Sequence, residues 1–163
     1  MTTTSNTFDP VELRRAFGCF PSGVTAVCAL VDGGPVGMAA STFTSVSLDP
    51  PLVSVCVART STTWPALRRS TRIGVSVLNS EHGAICRQLS ARDVDRFAGV
   101  DWTALPNGSV VLNDAAAWLD CGVEEEITAG DHVIALLSVQ AIQAAPAVAP
   151  LVFHGSRFRR LAA

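Results

Sequence analysis

"GMAASTFTSVSLDPPLVSVCV", residues 37–57, reads as two strands and a break. "FTSVSL" (43–48) alternates apolar and hydroxyl side chains, the period of a half-buried strand. Asp49-Pro50-Pro51 interrupts it, and "LVSVCVA" (52–58) is apolar enough for a fully buried strand. Before both, Ala39, Ala40 and Ser41 carry little side-chain bulk, so their backbone amides are open to approach. Such a stretch suits either a close strand crossing or a ledge for a flat, polar-edged ring.

Outward from there, the same punctuation recurs. Asp9 as N-cap and Pro10 at the first position start a short amphipathic helix, which Pro21-Ser22-Gly23 ends. "VTAVCALV" (24–31) and "VGMAAS" flank Asp32-Gly33-Gly34-Pro35 as a hairpin. A short helix around "WPALRRS" precedes the strand "RIGVSVLN" (72–79), and Ser80 is placed to cap a helix over "EHGAICRQLS". Residues 91–113 are polar and irregular, with a turn at Pro106-Asn107-Gly108. "AAWLDCGVEEEI" (116–127) and "HVIALLSVQAI" (132–142) are strands joined by a bend at Ala129-Gly130. "LVFHGSRFRRL" closes as a hairpin turning at Gly155-Ser156.

Seven or eight short strands with three small helices predict a mainly β (α+β) fold, a closed or nearly closed antiparallel barrel. Long alternating helices and a G-x-G-x-x-G turn are both absent from the sequence, which argues against a doubly wound dinucleotide fold. With 163 residues, a tail (1–8) and a single domain (9–163) are expected.

Composition narrows the chemistry. Apolar residues make up 48% and charged ones 16%, a globular balance. A net charge of −2 offers no footprint for nucleic acid or anionic membrane, and no leader or long apolar run is evident, so a cytoplasmic location is expected. The five cysteines form no C-x-x-C pair, and His82, His132 and His154 show no metal-ligand spacing, so neither a disulfide framework nor a metal site is expected. All 12 basic residues are arginine, which removes Schiff-base chemistry and the phosphate-loop lysine. Tyrosine is missing too, and no G-x-S-x-G elbow is present for a serine nucleophile.

Two segments remain as candidates. "ARTSTTW" sets Arg59, Thr60, Ser61, Thr62 and Thr63 between a strand and a helix start, a pattern that serves as an anion clamp or as plain N-capping. Across the strand 52–57, Ala39 and Ala40 leave room for a planar ring whose polar edge Ser41 and Thr42 can meet. His132 opens an apolar strand after a Gly-Asp bend, either as an edge residue or as an imidazole at a barrel rim. The run Glu124-Glu125-Glu126 reads as a solvated strand end.

The ordered set "FPSGVTAV", "GMAASTFTSVSLDPPLVSVCVARTSTTW", "RIGVSVL", "DRFAGVDW", "AAWLDCGVEEEITAGDHVI" and "PLVFHGSRFRRL" resembles the flavin reductase-like family. These are the short-chain NAD(P)H:flavin oxidoreductases that supply reduced flavin to two-component monooxygenases. The resemblance implies an FMN-binding type of split β-barrel with Greek-key topology, a homodimer, FMN or FAD, NADH or NADPH, and a separate monooxygenase as recipient. It places the flavin ring along Met38, Ala39, Ala40, Ser41 and Thr42, with Ser45 and Val46 nearby, and the phosphate at Ala58, Arg59, Thr60, Ser61, Thr62 and Thr63. His132 lies by the nicotinamide as the one catalytic candidate, and Arg157 and Phe158 lie near the pyridine nucleotide or the dimer partner. The chain departs from the pattern where it has His82 for a frequent Gln, Gln88 near a frequent Arg, and Phe153 and Phe158 where Tyr is common. Two rival readings are a pyridoxine-phosphate-oxidase-like enzyme that retains its flavin, and a non-catalytic flavin- or haem-binding dimeric module.

Overall fold

Asp9 caps the first helix as its sequence dictates, its Oδ1 accepting the Val11 amide at 2.9 Å. The computed structural model describes residues 7–162, so residues 1–6 of the expected tail lie outside the described residues. The helices are α1 (Pro10–Phe17), α2 (Trp64–Leu67) and α3 (Gly83–Ser90). The strands are β1 (Ser22–Gly23), β2 (Thr25–Val31), β3 (Gly34–Ala40), β4 (Thr44–Leu48), β5 (Pro51–Ala58) and β6 (Ile73–Val77). They continue as β7 (Trp102–Ala104), β8 (Val110–Leu112), β9 (Ala117–Ala129), β10 (His132–Ala144), β11 (Val152–His154) and β12 (Arg157–Arg159).

Seven strands form one antiparallel sheet in the order β3-β2-β6-β9-β10-β5-β4. Its two edges, β3 and β4, are consecutive in the chain and joined only by Ser41, Thr42 and Phe43. The β1-β11-β12 sheet and the β7-β8 hairpin lie beside it. The mainly β expectation is met, and among the described residues no helix is long and apolar enough to cross a membrane.

Burial explains the central strands. β2 alternates between two apolar clusters: Val27 and Ala29 face one with Val55, Ile73 and Leu137, while Ala26 and Cys28 face the other with Leu78, Leu89 and Val110. Both faces are covered, so Thr25 to Ala29 are all buried. β5 differs from its expectation. Only Val53, Val55 and Val57 are buried, and the residues between them are half-exposed, because its second face has no covering layer. β4 is exposed along most of its length rather than half-buried. Burial pushes the thiols of Cys28 and Cys121 up to about 12, which keeps them neutral and inert at physiological pH.

Two helix and loop readings also shift. Ser80 does not cap α3; the N-cap position is His82, preceded by a turn in which Asn79 Oδ1 accepts the Glu81 amide at 2.8 Å. Asn79 occupies the position from which its short amide can close that turn, so Ser80 is left outside the cap. The irregular 91–113 segment contains β7 and β8, which turn at Gly108 with φ 95°, and a tightly held loop over residues 91–98.

Candidate functional site

The ledge begins where β3 ends. Ala39 pairs with Ala26 and Ala40 with Thr25, whose hydroxyl donates to the Ala40 carbonyl at 3.0 Å and fixes that end of the strand. Beyond it, the Thr42 hydroxyl donates to the Cys56 carbonyl at 3.1 Å and accepts the Cys56 amide at 2.8 Å. A side chain thereby continues the β4–β5 register, whose last backbone pair on this side is Thr44 with Ser54. The Thr42 hydroxyl is therefore engaged inside the protein. Among the described residues, the exposed amides of Ser41 and Thr42 have no protein acceptor, so the ledge offers main-chain donors.

The hydroxyl loop after β5 is built by capping. Ser61 Oγ accepts the amides of Thr63 at 3.3 Å and Trp64 at 3.1 Å, and Thr63 Oγ1 accepts Arg96 Nη1 at 3.0 Å. Each oxygen has spent acceptor capacity on protein, which leaves its own hydrogen to donate outward. The amides of Thr60 and Thr62 also have no protein acceptor among the described residues. The helix dipole expected to help is slight, because α2 has only 4 residues and few aligned peptides. Arg59 turns away as well: its guanidinium reaches the Gly130 carbonyl at 3.4 Å, and its amide donates to the Asp131 carbonyl at 2.9 Å.

Glu126 anchors this loop from below. It accepts the Trp64 indole N–H at 2.7 Å and pairs with Arg68 at 2.5 Å, tying α2 to β9. The acidic run is therefore not uniformly solvated. A register shift in β9 sets Leu136 opposite Glu125 and Leu137 opposite Val123, leaving Glu124 unpaired in a bulge, and Glu126 meets α2 beyond it.

A third wall closes the site. Met38, Ala39, Ala58 and Thr60 to Thr63 line one cleft of about 890 Å³ together with Pro35 to Gly37 and residues 89–97. An adjoining apolar cavity of about 330 Å³ is bounded by Ala39, Ala40, Ser41, Arg87, Phe153 and Phe158. Ala39 and Ser90 border both spaces, so a ring on the ledge and a tail over the hydroxyl loop can be held together. The structure leaves Thr42, Ser45, Val46, Arg59, His132 and Arg157 outside the lining of these two spaces. Sequence reasoning missed the 89–97 wall, whose one signal was the segment "DRFAGVDW".

The departures on α3 resolve into distinct jobs. Gln88 Nε2 donates to the carbonyls of Asp95, Arg96 and Ala98 at 3.2, 3.1 and 2.8 Å, pinning the 91–98 loop. His82 is buried and its Nδ1 accepts the Asn79 amide at 3.1 Å; burial lowers its pKa, consistent with a neutral ring that shapes the turn. Arg87 faces the apolar cavity, its guanidinium 5.1 Å above the Phe158 ring. Phe158 also packs 5.7 Å from Phe153.

His132 sits opposite Ala58 on β10, at the mouth of the hydroxyl loop. Its Nδ1 lies 2.7 Å from Asp131 Oδ1. That hydrogen bond and the neighbouring imidazole's charge hold the Asp131 carboxyl below its ordinary range. The ring is about half exposed, free to meet a ligand through its other nitrogen.

A model of the flavin reductase like domain matches residues 17–162. The chain is 39% identical over 150 residues to the reductase subunit HsaB of a flavin-dependent monooxygenase from Rhodococcus jostii (strain RHA1), covering 92% of this chain and 77% of that one. It is 37% identical over 156 residues to a flavin reductase from Pseudomonas putida, covering 95% and 92%. The NADH:FAD oxidoreductase SgcE6 of Streptomyces globisporus C-1027, solved in complex with NAD and FAD fragments, superimposes with a TM-score of 0.89 at 38% identity, covering 97% of this chain and 98% of that one. Some relatives are longer: the chain spans 61% and 45% of two from Rhizobium meliloti (strain 1021).

Proposed function

The chain belongs to the flavin reductase like domain family, and from that premise we propose that it uses NADH to reduce a free flavin, FMN or FAD, for a separate monooxygenase. The observation that carries this reading to the residues is the shared border at Ala39 between an apolar cavity and a hydroxyl-lined cleft. When bound, the flavin supplies the redox chemistry, taking up a hydride from the reduced nicotinamide.

The protein's own part is alignment. Ala39, Ala40 and Ser41 leave a surface low enough for a planar ring, and the amides of Ser41 and Thr42 are available to stabilise negative charge on its edge. The outward hydrogens of Ser61 and Thr63 and the amides of Thr60 and Thr62 suit a phosphate. His132, held by Asp131 opposite Ala58 at the mouth of the hydroxyl loop, would orient the nicotinamide. No side chain is required as an obligatory base.

We read the seven-stranded sheet as a split barrel. The three-residue link between its edges and the Thr42 bridge to Cys56 support this reading. The exposed Val46, Leu48 and Ile142 on β4 and β10 favour a homodimer that covers them.

One assay tests the function: purified chain, NADH, added FMN or FAD, and absorbance at 340 nm. Oxidation in proportion to added flavin is expected; none with either flavin and either nucleotide would favour a binding module. In the same assay, His132→Ala should raise the NADH KM or slow single-turnover flavin reduction by about tenfold, the loss of one hydrogen bond to the substrate. Unchanged single-turnover reduction would remove His132 from the site.

A further inference from the structure

Arg96 is the least expected member of the cleft. Its Nε donates to the Ala91 carbonyl at 2.8 Å, and its Nη1 donates to the Gly37 carbonyl and to Thr63 Oγ1, both at 3.0 Å. One planar group thus ties together the 91–98 loop, strand β3 and the hydroxyl loop, which are the three walls of the cleft. The neighbouring Phe97 packs against the same strand at Gly37, where a Cβ would lie 2.5 Å from Cys28 Sγ and 3.0 Å from Phe97 Cζ. Arg96 is half-buried, yet among the described residues no carboxylate lies within ion-pair distance and Nη2 has no acceptor. A half-buried guanidinium with two idle donors, beside a hydroxyl that accepts from it and keeps its own hydrogen, is arranged for an anion.

We propose that Arg96 is the cationic ligand of the flavin phosphate and the residue that aims the Thr63 hydroxyl at it. The proposal rests on the flavin reading above and deepens it. It replaces Arg59, whose charge is directed to the β9–β10 turn, with a residue from the unforeseen wall.

Riboflavin, which has the ring without the phosphate, separates binding from scaffolding. Dissociation constants for FMN and riboflavin are measured by flavin fluorescence on wild type, Arg96→Ala, Arg96→Lys, Thr63→Val and the Ala/Val double variant, with thermal melts alongside. Arg96→Ala should weaken FMN by about tenfold or more and riboflavin by less than about twofold, as the loss of a charge-assisted bond requires. Arg96→Lys keeps the charge but cannot span three acceptors, and should fall between wild type and Arg96→Ala on FMN alone. The double variant should be less impaired than the product of the two single losses, because Arg96 acts partly through Thr63. Should Arg96→Ala fail to fold, Arg96→Lys and Thr63→Val carry the same comparison. Equal losses for both flavins, or none for either, would overturn the role of Arg96 while leaving the flavin site standing. A wild type that binds neither flavin would overturn the site itself and this proposal with it.

Discussion

Replacing Ala39 with phenylalanine is expected to lower flavin-dependent NADH oxidation by about two orders of magnitude, equivalent to about 2.7 kcal/mol of lost transition-state binding. Ala39 borders both the hydroxyl-lined cleft and the apolar cavity, so a benzyl group there occupies space that ring and tail must share. The fold should tolerate the change. β3 is an edge strand, aromatic residues suit strands, and the new side chain has a cavity to enter. Ala39→Ser, which adds one atom, should remain within about threefold of wild type, since a small polar change is worth under 1 kcal/mol there. A phenylalanine variant with normal melting and unchanged turnover would place the flavin elsewhere.

Gly74→Ala should be among the most damaging single changes to stability. A Cβ at Gly74 would lie 2.1 Å from the Val110 carbonyl oxygen, 2.7 Å from its carbon and 3.1 Å from Val111 Cγ1. Backbone cannot yield as a flexible side-chain end can, so β8 must lift off β6. Several contacts resist that movement: the Leu112 amide donates to Ser76 Oγ at 2.9 Å, and Ser109 donates to the buried Asp120, itself 3.4 Å from Arg72. A cost of about 3 kcal/mol is expected, with a melting temperature about 6–12 °C lower by circular dichroism. Weakened flavin binding should accompany it, because β7 carries Trp102, whose ring packs edge-on to Phe97 at 6.4 Å in the cleft wall. A melt within about 2 °C of wild type would contradict this packing of the β7–β8 hairpin.

What the sequence disclosed followed the reach of local rules. The ledge and the hydroxyl loop were legible because small residues and pre-helical hydroxyls announce themselves within a few positions. The wall at 89–97 was not. Gln88 spends its donors, and Arg96 two of its own, on main-chain carbonyls, which any residue type provides, and Arg96 reaches Gly37 and Thr63 across 59 and 33 residues. Glu126 was hidden for a different reason, since a bulge at Glu124 breaks the alternation from which its direction would be read. β5 looked fully buried because Leu52, Cys56 and Ala58, apolar residues, also occupy its half-exposed face.

The account is tested most directly by a crystal structure of the chain with FMN bound. It predicts the phosphate among Ser61, Thr63 and Arg96 and the ring against Ala39 to Ser41. Electron density for the flavin at any other place, with the Ala39 ledge bare, would contradict it.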